Sequence, residues 1–276
     1  MNRKELNNIE EMYDYRIPPH VPVVIRVDGK NFKRVTEKLN KPFDNVFTTI
    51  MQNVTDEVAA QICGCDIAYT QSDEITFILH NREKESPFLG NRVQKMASVV
   101  ASMVSNSFYR LFLSFIMQYQ DTVADMSEED RVTIDERISN LWFVLNENPI
   151  FDARVYMISE EDEADVIEIR QNNCINNSIN SMALYYLDST AGKSQDELLK
   201  ELYKAGHRWE DLPEAVKFGY CIVKDEEALE REDGSEKIKK VWVPFDWRGA
   251  RARQLEVEEA NRQEARRLAE ENKSKE

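Results

Sequence analysis

An α+β fold is what this sequence predicts: a ferredoxin-like, split β-α-β antiparallel sheet core with additional helices. Three observations predict it. Short β-branched runs bounded by turn residues occur at 22–27, 65–70 and 75–79. Apolar residues at helical spacing follow the first and the third of these runs. A further strand-like run, 152–158, then completes the order β-α-β-β-α-β.

The elements follow in order. PVVIRV, residues 22–27, reads as a short buried strand stopped at Asp28-Gly29. Asp44 is placed to cap a helix carrying Val46, Phe47, Ile50, Met51, Val54, Val58 and Ile62. Cys65–Thr70 and Ile75–Leu79 form a hairpin around Gln71-Ser72-Asp73-Glu74, with both strands expected to flank the first. A long helix starts near Asn91 on the stripe Val93, Met96, Val100, Met103 and Val104. Another spans about 164–187, with acids at its N-terminal end where the helix dipole favours them. Ser194 and Glu197 make a capping box for a helix that Gly206 ends. Tyr220–Val223 and Ile238–Val243 are expected to pair around Asp233-Gly234. Residues 1–250 then form one catalytic domain of the polymerase-palm type, and 251–276 a charged, solvated tail. Palms and nucleotide cyclases share this architecture, so the fold alone does not choose the reaction.

Composition narrows the classes. The formal net charge of −15 argues against a sequence-blind grip on nucleic acid. A polyanionic substrate would have to be held by local basic residues and metal ions. The 4 cysteines form no disulfide framework or zinc site, and the 3 histidines stand apart from one another. No run reads as a membrane span and the N-terminus is polar and acidic, so a cytoplasmic protein without membrane contact is expected.

Two acidic positions carry the chemistry. Asp28 ends an apolar strand, and Gly29 behind it lets a ligand approach the main chain closely. Taken alone, this is also an ordinary Asp-Gly turn, and Asp73-Glu74 is also an ordinary solvated hairpin tip. In a β-α-β-β core, however, the strand end and the hairpin lie side by side, which would bring Asp28 and Asp73 together. Like charges held close raise one another's pKa unless a cation sits between them. Few, hard oxygen ligands completed by phosphate describe Mg²⁺, and two such ions serve an in-line phosphoryl displacement.

Three runs then coincide: Arg26-Val-Asp-Gly-Lys-Asn-Phe-Lys-Arg34, Lys41-Pro-Phe-Asp44 and Tyr69-Thr-Gln-Ser-Asp-Glu74 with Phe77. In order and separation, with a small deletion before Lys41, they resemble the signature of the tRNA-His guanylyltransferase and Thg1-like 3′-to-5′ RNA polymerase family. Phe151-Asp-Ala-Arg-Val155 and Arg170-Gln171 resemble it as well, and the likeness covers about 20–225.

The resemblance implies a set of site residues. Asp28 and Asp73 would bind both metal ions, the Gly29 carbonyl would be a further ligand, and Glu74 a supporting acid. Asp28, Gly29, Lys30, Asn31, Phe32, Lys33 and Ser72 would contact nucleotide, and Lys41 would assist the reaction. Arg92 and Lys95 match a triphosphate-binding pair, and their place at a helix start independently suits an anion, although solvated cations would look the same. Where the eukaryotic enzymes carry His-Ile-Asn-Asn, this chain has Cys174-Ile-Asn-Asn-Ser178, closer to the Thg1-like branch. Asn173, Asn176, Asn177 and Asn180 share a helical face that either meets a ligand or is merely exposed.

The implied activity is nucleotide addition to the 5′ end of a tRNA or tRNA-like RNA, with ATP and GTP as substrates and a homotetramer as the assembly. The rivals are a palm-type nucleotide cyclase or other small-molecule nucleotidyltransferase, and a non-catalytic nucleotide- or RNA-binding relative.

Overall fold

The computed structural model describes residues 1–80, 86–123, 128–230 and 236–249. Its centre is a six-stranded sheet in the order β4-β1-β3-β2-β5-β6, with β1 Val23–Gly29, β2 Cys65–Gln71, β3 Glu74–Leu79, β4 Phe151–Met157, β5 Tyr220–Glu230 and β6 Glu236–Pro244. All neighbouring pairs are antiparallel. The four strands β4-β1-β3-β2 carry the expected core. One expectation is corrected: β3 alone of the hairpin strands flanks β1, and β4 takes its other side. The short connection between β2 and β3 makes them neighbours and leaves no place for β1 between them.

Alternation along the strands divides the sheet's faces. Val23, Ile25 and Val27 share one face with Ala68, Ile75 and Phe77, and all are fully buried. Against that face pack α3, Asn45–Gln61, and α4, Val93–Val123. Asp44 caps α3 as its position predicts, accepting from the Val46 and Phe47 amides at 3.0 and 3.3 Å. Within α4, residues 93–121 are long and apolar enough to cross a membrane, contrary to the reading of the sequence. Yet Met96, Val100, Val104, Phe108, Phe112 and Ile116 are each fully buried in the core. A spacing of four keeps each member of that stripe close to the face of the one before it.

The other face carries Val24, Tyr69 and Ile78, which pack on Ile167 of α6, Glu163–Tyr186. A capping box at Ser194 and Glu197 opens α7, Gln195–Lys204, as expected. Four helices were not anticipated: α1 (Arg3–Met12), α2 (Phe32–Val35), α5 (Glu128–Asn146) and α8 (Glu214–Phe218). The expected β5–β6 pair forms and extends beyond its predicted bounds, but the Asp233-Gly234 turn and the tail 251–276 lie outside the described residues.

His80 ties α6 to the far end of the hairpin. Its Nδ1 lies 3.1 Å from Asp66 Oδ2 and its Nε2 2.8 Å from Glu163 Oε1. The Asp66 hydrogen bond, with Glu163 beside it, holds the imidazole above its ordinary pKa against the opposing effect of burial. A raised histidine stabilises fully below its unfolded value of about 6.5 and loses that contribution as pH rises through the folded value. His80→Gln should therefore cost on the order of 1 kcal/mol at pH 6 and distinctly less at pH 9. Urea midpoints of both proteins at the two pH values check this; an equal gap would show that the imidazolium contributes nothing.

Candidate active site

Gly29 is where the strand end and the hairpin meet. Register sets Asp28 opposite Glu74 on β3 and opposite Asp152 on β4. One step on, the Gly29 amide donates to the Asp73 carbonyl at 3.1 Å. A Cβ at Gly29 would lie 2.8 Å from Asp73 Oδ2 and 2.4 Å from the Phe32 ring, so only glycine lets the Asp73 carboxylate lie against this strand end. Phe32 itself is anchored among Phe47, Phe108 and Phe151.

The acids differ in their partners. Glu74 sits 3.7 Å from Arg26 and 3.3 Å from Arg170, while Asp28 is 4.0 Å from Arg26. Burial raises the Glu74 carboxyl above its usual range; Arg170 and Arg26 oppose the shift, and Asp28 and Asp73 add to it. Asp73 accepts from the Ser72 hydroxyl at 3.0 Å and, among the described residues, forms no ion pair. Burial raises its pKa, a main-chain amide and Ser72 partly offset this, and the nearby Asp28 charge raises it further.

A half-buried carboxylate raised by desolvation and further by a neighbouring carboxylate, and paired among the described residues with no side-chain cation, is chemically suited to a divalent ion. Among the described residues no group of three or more His, Cys, Asp and Glu side chains forms a cage. An ion here would rest on two carboxylates, main-chain oxygen and substrate phosphate, a sparse hard-oxygen set that fits Mg²⁺.

Beside Asp73 opens a cavity of about 610 Å³. Lys33, Lys41, Ser72 and Asp73 line one part, and Asn177, Asn180 and Ser181 of α6 another. Its size is that of a small-molecule site. The Lys41 ammonium is held at this wall by donating to the Thr36 carbonyl at 2.9 Å. Phe32 touches the cavity but is 96% covered (4% exposed) and serves the core. Asp28, Lys30 and Asn31 are not among the lining residues, although Asn31, at φ 57°, turns the chain into α2. Of the asparagine face, Asn177 and Asn180 reach the cavity; Asn173 and Asn176 do not.

Arg92 and Lys95 are not brought to this site. The Arg92 guanidinium donates to Asp14 Oδ1 at 2.6 Å, and Lys95 borders a shallow surface depression with Tyr13 and Asp14. The acidic end of the sheet instead meets α4 near Ser105, whose hydroxyl accepts the Phe151 amide at 3.1 Å. Lys95 and Ser105 are ten residues apart, about 15 Å along a helix. The expected phosphate pair therefore stands more than a helical turn away from the acids of its own chain, beside Asp14 instead.

Asp44 and Arg137 were missed as site elements. Asp44 lines the cavity and is 5% exposed. Arg137 of α5 grips both its oxygens, Nη2 to Oδ1 at 2.9 Å and Nη1 to Oδ2 at 2.7 Å. No local pattern announces a pair 93 residues apart.

A split β-α-β sheet with Asp28 at the end of its first strand, Asp73 beside it and a cavity of nucleotide size is the arrangement of palm-type nucleotide-handling enzymes. The profile of the tRNAHis guanylyltransferase (Thg1) family matches residues 3–159, more than half of the sequence. The chain belongs to that family, nucleotidyltransferases that act at tRNA 5′ ends. A probable tRNA(His) guanylyltransferase of Drosophila melanogaster is 26% identical over 250 residues, covering 84% of this chain and 75% of that one. The Mus musculus counterpart is 30% identical over 168 residues, 59% of this chain but only 47% of its own length. An uncharacterized protein of Acanthamoeba polyphaga mimivirus is 24% identical over 237 residues, 79% of this chain and 75% of that protein. Among solved structures, a bacterial Thg1-like protein in complex with ATP superposes with a TM-score of 0.67 at 23% identity, over 88% of this chain and 90% of that one. The Saccharomyces cerevisiae enzyme gives 0.61 at 17% identity, over 83% and 94%. These two show the shared fold.

Proposed function

We propose that this chain is a Mg²⁺-dependent nucleotidyltransferase that extends the shortened 5′ end of a tRNA or tRNA-like RNA, taking ATP and GTP as substrates. The observation that carries the proposal is Asp73, packed against Gly29, raised by burial and by the Asp28 charge, without a cationic partner among the described residues and open to the cavity. The Thg1-like protein solved with ATP, and its counterpart solved with GTP, support the choice of nucleotides.

Asp28, Asp73 and the Gly29 carbonyl would hold Mg²⁺. When bound, the ions supply Lewis-acid stabilisation of phosphoryl oxygens and a more acidic attacking hydroxyl. The chain's own residues do the rest. Ser72 orients the Asp73 carboxylate through its hydroxyl, and Gly29 keeps that carboxylate beside the strand end. Arg26 and Arg170 neutralise Glu74, keeping a third negative charge from building up at the pair. Lys33 and Lys41 place positive charge on the cavity wall, where nucleotide phosphate would sit. Asn177 and Asn180 offer amide donors and acceptors to the nucleotide. A homotetramer, expected from the family resemblance, is consistent with Arg92 and Lys95 lying away from the acids of their own chain.

The Asn-rich run that replaces the eukaryotic His-Ile-Asn-Asn motif supports templated repair over addition of one unpaired G. Incubated with Mg²⁺ and labelled nucleotides, the protein is expected to extend a 5′-truncated tRNA faster than it adds G to a complete tRNA-His end. The reverse order would refute the repair assignment. No 5′ extension of either RNA, alongside cyclised nucleotide product, would favour a palm-type cyclase.

A further inference from the structure

The C-terminal ends of α6 and α7 form an aromatic surface that the reaction described above does not use. Tyr185 and Tyr186 meet edge to face at 4.7 Å, and Tyr186 stacks on His207 at 3.6 Å. Across the same surface the Arg208 guanidinium lies 6.0 Å from the Tyr203 ring centroid. Tyr185 is 55% exposed and Tyr203 67%, so broad ring area faces solvent. The surface lies on the same helix as the cavity wall: Leu184, one residue before Tyr185, lines the cavity together with Asn177. From Asn177 to Tyr185 is about 12 Å along the helix, only a few nucleotides of extended strand.

Charge identifies what would cover this surface. In a chain of net charge −15, most arginines among the described residues are held by carboxylates: Arg26, Arg34, Arg92, Arg110, Arg137 and Arg170 each form ion pairs. Among the described residues, Arg208 and Lys204 form none, and neighbouring Glu201 is already held by Lys193; Lys200 is engaged by the charge of Glu197. Exposed rings beside Arg208 and Lys204 match the chemistry of single-stranded nucleic acid, whose bases stack and whose phosphates require positive charge.

We propose that this surface is a stacking platform for the unpaired nucleotides opposite a shortened 5′ end. The inference rests on the RNA-extending function proposed above. A 5′-truncated RNA leaves its complementary strand unpaired at that end, and a templated reaction has to hold this overhang while the acids work on the 5′ terminus. Tyr185 and Tyr203 would receive its bases, Arg208 and Lys204 its phosphates, and the Tyr186–His207 stack would buttress Tyr185.

The test compares the full-length wild type with a Tyr185→Ser/Tyr203→Ser variant and a Tyr185→Phe/Tyr203→Phe variant. Fluorescence anisotropy measures binding to an end-labelled RNA helix with a short overhang, to the same helix made blunt, and to GTP. Sedimentation gives the assembly state of each protein. The serine variant should bind the overhang RNA at least about tenfold more weakly, with blunt RNA, GTP and assembly unchanged, and the phenylalanine variant should restore affinity. Undiminished overhang binding by the serine variant overturns the proposal. A change of assembly mass in step with lost affinity also overturns it, and would make the rings a contact between copies of this chain. A wild type that binds GTP but neither RNA would instead remove the RNA-extending function, and the platform with it.

Discussion

Asp28→Ala and Asp73→Ala are each expected to lower nucleotide transfer by at least about 10³-fold, a loss of roughly 4 kcal/mol of transition-state stabilisation. The fold should survive both changes. Asp73 is raised by burial and by the Asp28 charge, so its ionised form costs stability in the folded state. Removing it relieves a repulsion, and Asp73→Asn should melt at or above the wild-type temperature. Steady-state extension of a 5′-truncated tRNA at saturating Mg²⁺, with melting curves on the same samples, checks both halves. Near-wild-type turnover in either variant would remove these carboxylates from the chemistry. A collapse in melting temperature would instead make them structural.

Arg137→Ala is expected to destabilise the protein by about 3 kcal/mol, because it leaves a buried carboxylate with no charge partner. Burial alone pushes the Asp44 carboxyl up; Arg137 and the Asn40 and Phe47 amides outweigh it and hold the group below its ordinary value. A depressed carboxylate contributes stability above its unfolded pKa and loses it as pH falls through the folded value. The gap between wild type and variant should therefore be full at pH 7 and narrow below about pH 4. Because Asp44 also caps α3 and lines the cavity, nucleotide affinity should fall along with stability. Urea titrations at both pH values and GTP binding at pH 7 measure this. Asp44→Asn/Arg137→Ala should recover part of the lost stability, since the orphaned charge is gone.

Legibility in the sequence followed the range of the interactions involved. Asp44 and Ser194 act on amides two or three residues away, so both caps could be read directly. The strand ends at Gly29 and Glu74 were visible because β-branched runs stop there, and this sufficed to expect Asp28 and Asp73 together. Strand neighbours were not visible, since antiparallel pairing of β1 with β4 joins residues more than a hundred positions apart. Arg92 and Lys95 show the same limit: their helix start was placed well, but which end of the sheet it meets is a property of packing. The apolar stripe of α4 was legible as a core face, and the structure packs it there, although the helix is also long and apolar enough to cross a membrane: a core stripe and a membrane span draw on the same residues.

The link between β2 and β3 holds only Ser72 and Asp73, which bears on how this protein tolerates insertion and deletion. A loop with no spare residue cannot absorb a length change by bulging outward at little cost. One added residue would slide β3 by a step against both neighbours, and a one-step slip turns every side chain to the opposite face. Ile75 and Phe77 would exchange places with Glu74, Thr76 and Ile78, and a carboxylate would enter the packed layer under α3 and α4. Length variation among relatives should therefore collect elsewhere and leave this tip untouched.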